Sequence, residues 1–301
     1  MAKRDLIDVS DLKKAEIDAL IKEAGRLKNG SDDSTTLKGR ALAMIFEKSS
    51  TRTRVSFEVG MYQLGGMAIF LNSMDMQLGR GETIADTART ISRYADGIMI
   101  RAFSHDDIVQ CARYSSVPVI NGLSDLSHPC QVLSDLFTVY EKKADYTGLT
   151  YAYVGDSNNV LNSWIEAAGI MGLHLRIATP APYAPAEPIL KKASSLGRGK
   201  IEISSDPVQA VRGADVIYTD VWVSMGQESA REEKLRAFSG FQINESLVRH
   251  ANADAIVMHC LPAHRGEEIT SEVLDGRQSV VFDQAENRLH VQKAILKLLM
   301  Q

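Results

Sequence analysis

Cysteine is scarce in this 301-residue chain: only Cys111, Cys130 and Cys260 occur. An odd number with no C-x-x-C spacing speaks against a disulfide framework and gives no ground for a zinc site; it fits free thiols in a reducing compartment. Long apolar runs are missing as well. None approaches the roughly 18 residues needed to cross a bilayer, and MAKRDLIDVSDLKKAEIDAL at the N-terminus lacks the uninterrupted apolar core of a signal peptide. A cytoplasmic location without a membrane partner is therefore expected. Nor is there a basic excess. Asp and Glu total 38 against 34 Lys plus Arg, a formal charge of −4, so no nucleic-acid partner is expected and any anion site must be local. Repeats and low-complexity tracts are also lacking.

What is present is ordinary globular material, 45% hydrophobic and 24% charged, in a chain long enough for two domains of roughly 130 to 160 residues. A first helix carries Ile17, Leu20, Ile21 and Ala24 at helical spacing. Short apolar runs follow at ALAMIF (41–46), IFLN, GIMIR ending at Arg101, VPVI, TYAYV, LRIAT, IEIS, DVIYTD ending at Asp220, AIVMH ending at His259 and SVVFD ending at Asp283, with helix-like segments between them. Strands alternating with amphipathic helices predict an α/β chain of two doubly wound parallel-sheet domains with a C-terminal closing helix. The break at ADYTGLT predicts one domain over residues 1–142 and a second over 143–301, the last helix included. Ligands of such sheets sit outside the carboxyl ends of the strands.

Those strand ends carry the polar residues of interest. Ser49-Ser50-Thr51-Arg52-Thr53-Arg54 lies between the ALAMIF strand and a helix. Val55, Val59 and Tyr62 on one stripe, with Phe57, Met61 and Leu64 on another, predict that this helix is largely buried. Its N-terminus would offer free backbone N–H groups and a favourable dipole, with hydroxyls and the Arg52 guanidinium as further donors to a small anion. Arg101 ends an otherwise apolar strand. His128-Pro129-Cys130-Gln131 stands at the mouth of another helix, where the His and Gln side chains can donate to a carbonyl oxygen.

STRTRVSFE at 50–58 and HPCQ at 128–131 resemble the two carbamoyl-phosphate signatures of the aspartate/ornithine carbamoyltransferase family. Asp220-Val-Trp-Val-Ser224-Met225-Gly226 is similar to the loop of its ornithine-specific branch, and His259-Cys260-Leu261-Pro262 to its catalytic tetrapeptide. The resemblance runs nearly end to end, with the motifs in the family's order. It implies carbamoyl transfer from carbamoyl phosphate to the δ-amine of L-ornithine, giving citrulline and phosphate, with no cofactor and no metal. By the same resemblance, Ser50, Thr51, Arg52 and Thr53 hold the phosphate, and Arg101, His128, Pro129, Cys130 and Gln131 form the carbamoyl site. Gln77 would come from a neighbouring subunit of a homotrimer or a multiple of one. Asn159, Asp220, Ser224 and Met225 contact ornithine, and Cys260, Leu261 and Arg288 lie at the reacting centre. Arg52, Arg101, His128, Asp220 and Cys260 are the expected catalytic residues. The chemistry asks for such a set. An amine attacks the carbamoyl carbon, an oxyanion forms and phosphate departs, so donors are needed at both the carbonyl oxygen and the phosphate. Asp220 is expected at the α-ammonium, Asn159 at the carboxylate and Cys260 near the δ-amine.

Three other readings fit less well. TYAYVGDSNNVLNSWIEAAG has the strand–turn–helix form of a dinucleotide site but lacks G-x-G-x-x-G, because side chains at Asp156, Ser157, Asn158 and Asn159 follow Gly155. An aspartate acceptor would need Arg or Lys in the loop after Asp220, and VWVSMG has neither. Putrescine lacks the carboxylate, and an N-acylated ornithine lacks the ammonium, that the ornithine-type loop would meet. A binding scaffold without turnover finds no support, since every expected side chain is present.

Overall fold

The structure is a computed structural model that describes the whole chain except residues 1–2, 31–32, 225 and 227. The chain divides into two compact units, one of residues 1–137 and 286–301 and the other of residues 138–285.

In the first unit the strands β1 (Ala41–Phe46), β2 (Met67–Asn72), β3 (Gly97–Arg101) and β4 (Val119–Leu123) form one all-parallel sheet in the order β2-β1-β3-β4. The helices are α1 (Lys14–Lys28), α2 (Thr51–Gln63), α3 (Ile84–Ile91), α4 (His105–Tyr114) and α5 (Pro129–Lys143), the last of which runs on into the second unit. β1 and β3 are apolar and almost wholly buried, as central parallel strands covered on both faces must be. Ile45, Ile98, Ile100, Ala88, Ile108 and Val119 build one core cluster between the sheet and α3 and α4. The pairing of β3 with β4 shifts register at the strand ends, Ile100 facing Asn121 and Arg101 facing Leu123, so the extra residue, Gly122, lies on β4.

In the second unit β5 (Thr150–Val154), β6 (His174–Ala178), β7 (Lys200–Ser204), β8 (Val216–Thr219) and β9 (Ile256–His259) form a parallel sheet in the order β7-β6-β5-β8-β9. Helices α6 (Asn159–Met171), α7 (Glu187–Leu196), α8 (Pro207–Val211), α9 (Arg231–Ala237), α10 (Glu245–Val248) and α11 (Ser271–Leu274) connect and flank its strands. The chain reverses direction across the sheet between β5 and β8, so the loops after these strands, residues 155–158 and 220–224, meet at their carboxyl ends. That is the position at which ligands bind in doubly wound sheets.

Three expectations meet the structure here. SVVFD is not a strand: Ser279 makes one isolated bridge to Val257, and Val281 then begins the helix α12 (Val281–Met300). A short apolar run has no period of its own, and the helical spacing that continues beyond it decides the outcome. Second, residues 286–301 of α12 group by their contacts with the first compact unit. Lys293 Nζ donates to Gln63 Oε1 at 2.9 Å. Gly60 on α2 leaves room for this helix, because a Cβ there would stand 3.3 Å from Lys293 Cγ. Third, α2 is one-sided: Phe57, Met61 and Leu64 are buried, whereas Val55 is 50% and Tyr62 80% exposed. Among the described residues no helix is long and apolar enough to cross a membrane.

Candidate active site

The first unit gathers one group of side chains at the carboxyl ends of β1 and β3. Ser50 leaves the strand in extended backbone and caps α2, its Oγ accepting from Thr53 N at 3.2 Å and donating to Thr53 Oγ1 at 3.0 Å. Thr53 is fully buried, Arg52 half-buried and Thr51 exposed at the helix mouth. Arg288, from α12, is 4% exposed and its Nη2 donates to the same Thr53 Oγ1 at 2.9 Å. Arg288, which the resemblance assigns to the reacting centre, thus stands at the mouth of α2. Arg101, 6% exposed, ends β3 beside the bulge.

His128 precedes α5, and its carbonyl accepts from Gln131 N at 3.1 Å, so Pro129 occupies the first helical position, where a missing N–H costs nothing. Burial, reinforced by the guanidinium charges of Arg288 and Arg101, holds the imidazole well below the usual histidine range. The ring is therefore neutral at physiological pH and can donate one hydrogen bond without carrying charge. Lys48, which sequence reasoning passed over, is buried with its Nζ 4.3 Å from the centroid of the Phe103 ring. Burial and then the charge of Arg101 lower its affinity for a proton. Both shifts report several cations felt by one partly desolvated place, an arrangement that a bound anion relieves.

Cys130 is fully buried, its Sγ 3.4 Å from Asn121 O, and burial pushes its thiol up to about 12; it packs under the helix mouth. Gln131 is also buried, but its Nε2 donates to Asp135 Oδ1 at 2.8 Å. One of the two N–H groups of that amide is therefore engaged. Gln77 opens a short 3₁₀ turn, Gln77–Arg80, and is exposed.

In the second unit Asp220 follows β8, 6% exposed. Its Oδ1 accepts from Val221 N at 2.8 Å and from Cys260 Sγ at 2.9 Å, and its Oδ2 accepts from Asn158 Nδ2 at 2.6 Å. Asn158 also caps α6, its Oδ1 accepting from Val160 N and Leu161 N. The signal for it is in the sequence, since an Asn before an apolar helical run is a preferred N-cap; beside it stands Asn159. That residue is the first of α6 and half-buried. Ser224 lies on the loop after Asp220 and is half-buried. Met225 lies outside the described residues.

Cys260 follows β9, and Leu261 adopts φ 57°, a left-handed conformation that a branched side chain avoids unless its surroundings impose it. What imposes it is His259. Its Nδ1 accepts from Leu261 N at 2.9 Å while its Nε2 stands 3.0 Å from Oε1 of the fully buried Glu268. Ligand atoms of Asp220, His259 and Cys260 lie within 4.8 Å of one another, as do those of His264, Glu267 and Glu268. In the first set both imidazole nitrogens and the thiol are already engaged, so a metal would have to displace hydrogen bonds that shape the loop.

Two parallel α/β units, one with a cationic helix mouth and one with a carboxylate–thiol pair at its switch point, define a two-domain group transferase. Residues 4–141 match the model of the aspartate/ornithine carbamoyltransferase carbamoyl-P binding domain, and residues 147–299 that of the Asp/Orn binding domain. The chain is 57% identical to an ornithine carbamoyltransferase of Syntrophus aciditrophicus, over 99% of each chain. It is 54% identical to one of Methanoculleus marisnigri, over 98% of this chain and 96% of that one. The solved structure of the ornithine carbamoyltransferase from Pyrococcus furiosus superposes with a TM-score of 0.94 at 52% identity, covering 99% of this chain and 97% of the other. The chain belongs to the aspartate/ornithine carbamoyltransferase family.

Proposed function

We propose that this protein transfers the carbamoyl group of carbamoyl phosphate to the δ-amine of L-ornithine, forming citrulline and phosphate, as a cytoplasmic enzyme of arginine metabolism. The observation that carries the donor half is the cationic group of Lys48, Arg101 and Arg288 around neutral His128 and the mouth of α2. Ser50, Thr51, Arg52 and Thr53 bind the phosphate. Arg101 and His128 donate to the carbamoyl oxygen as it gains negative charge, and Gln131 completes the carbamoyl site above Pro129 and Cys130. In the acceptor half Asp220 takes the α-ammonium, Asn159 and the Ser224–Met225 loop the remaining backbone groups of ornithine. Cys260, hydrogen-bonded to Asp220, orients the δ-amine, with Leu261 beside it. The neutral amine attacks the carbamoyl carbon, the tetrahedral oxyanion collapses, the C–O bond to phosphate breaks, and the proton shed by the amine nitrogen leaves with the phosphate.

A citrulline assay with ornithine, putrescine, aspartate and N-acetylornithine as acceptors tests this. Ornithine is expected to react far faster than the others. Its kcat/KM should rise through alkaline pH, because an alkylamine with a pKa of about 10.4 is mostly protonated at pH 7. No acid limb near pH 6.5 should arise from His128, whose lowered pKa keeps it neutral there. Preference for another acceptor, or a flat profile from pH 6 to 9 with chemistry rate-limiting, contradicts the assignment.

The functional unit is a homotrimer or a multiple of one, each Gln77 loop completing a neighbour's site. The exposed apolar side chains of Val55 and Tyr62 on α2, Met67 on β2 and Met74 beside the Gln77 turn support a contact with another copy on this side of the first unit. When inactive Gln77→Ala and Arg52→Ala chains are dissociated and reassociated together, some mixed trimers contain one intact site, so activity should exceed the sum of the parents. Mixed trimers proven by mass spectrometry but no more active than that sum would sink the shared site.

A further inference from the structure

Asp135 sits one helical turn beyond Gln131 on α5, and both are buried, at 0% and 1% exposure. Spacing of i to i+4 puts the two side chains on one face, where a Gln–Asp pair can bond. Gln131 Nε2 lies 2.8 Å from Asp135 Oδ1. A glutamine amide carries a donor end and an acceptor end that are nearly alike in shape, whereas a carboxylate only accepts. Asp135 therefore holds the NH₂ end, and Oε1 must face the other way. That oxygen is buried and has no hydrogen-bond partner among the described residues. A buried acceptor left unmet is costly, and only an N–H or O–H donor relieves it.

We infer that Asp135 is a specificity-determining positioning residue, which locks the Gln131 amide so that its oxygen selects acyl phosphates bearing an N–H. The inference rests on the reading of Gln131 as a carbamoyl-site residue. Carbamoyl phosphate and acetyl phosphate share the phosphate and the carbonyl oxygen, and differ in carrying NH₂ or CH₃ on the carbonyl carbon. The amino group meets Gln131 Oε1; the methyl leaves it unpaired. A site built to hydrogen-bond a substrate N–H rejects the analogue that lacks it more strongly than an apolar pocket does. Neither residue is placed at the bond that breaks, and Asp135 acts on the substrate by way of Gln131.

Calorimetric titration of the intact enzyme with carbamoyl phosphate and with acetyl phosphate tests this. Wild-type enzyme should bind the carbamoyl compound at least tenfold more tightly. In Asp135→Asn, whose amide can donate as well as accept, the Gln131 amide is no longer locked. The preference should shrink at least fivefold while acetyl phosphate affinity stays within twofold. In a Gln131→Leu background the same substitution should leave the ratio unchanged. General damage to the site would instead weaken both ligands alike, and that result in folded Asp135→Asn overturns the proposal. Parity of the two ligands in the wild type overturns it whether or not the variants fold. Binding of neither ligand by the wild type would remove the carbamoyl-phosphate reading itself, and the inference with it.

Discussion

Replacing Arg101 by alanine is expected to lower kcat/KM for carbamoyl phosphate at least 100-fold with the fold intact, and Arg52→Ala to do the same. That corresponds to about 2.7 kcal/mol of transition-state stabilisation, an ordinary worth for charge-assisted donors at developing negative charge. The two residues stand in different settings. Arg101 is buried at the end of β3, paired with Leu123 of β4, so its direction is imposed by the sheet. Arg52 is half-buried on the first turn of α2, where it adds to the backbone donors and the helix dipole. Arg101→Lys keeps the charge but loses the planar fork, and should recover only part of the rate. Steady-state kinetics, with circular dichroism to verify folding, provide the check. Either alanine variant within tenfold of wild type would mean that the anion is held elsewhere.

The larger effect is expected at Asp220. Asp220→Ala should lower kcat/KM for ornithine at least 1000-fold, about 4.1 kcal/mol, and should also destabilise the second unit. Three groups bond to this carboxylate, Val221 N, Cys260 Sγ and Asn158 Nδ2. Each donor left unsatisfied in a buried place costs roughly 1–3 kcal/mol. Asp220→Asn separates the two consequences. It keeps the shape and one carbonyl oxygen, so thermal stability should fall less than in the alanine variant. It loses the negative charge that an ammonium needs and turns an NH₂ towards a former donor, so ornithine kinetics should remain poor. An asparagine variant that works within tenfold of wild type would remove Asp220 from the acceptor site.

The same residue illustrates how far the sequence carried. That a carboxylate would stand at the ligand-facing edge of the sheet was legible, because it ends an apolar strand and strand ends in parallel sheets face ligands. That it also bonds the Cys260 thiol was not legible, since the two are brought together by the pairing of β8 with β9. Asn158 had a readable N-cap signal, but its second bond, to Asp220, comes from a residue distant in sequence. Lys48 had no signal, because a lysine after a strand usually reaches water. SVVFD misled because a few apolar residues carry no period of their own.

By itself the sequence determined the parallel strands with their connecting helices, the order of the motifs and the Ser-Thr-Arg helix mouth. These follow from propensity, periodicity and capping, which act between residues close in the chain. Tertiary structure alone decided that residues 286–301 join the first unit, and that α2 exposes Val55 and Tyr62. It also decided that His128 is neutral beside Arg288 and Arg101, and that Leu261 is held left-handed by a histidine backed by a buried glutamate. The physical reason is the same in each case. Proton affinity, exposure and backbone strain depend on desolvation and on charges and donors supplied through space by segments far apart in sequence, and no local pattern encodes which of those segments will meet.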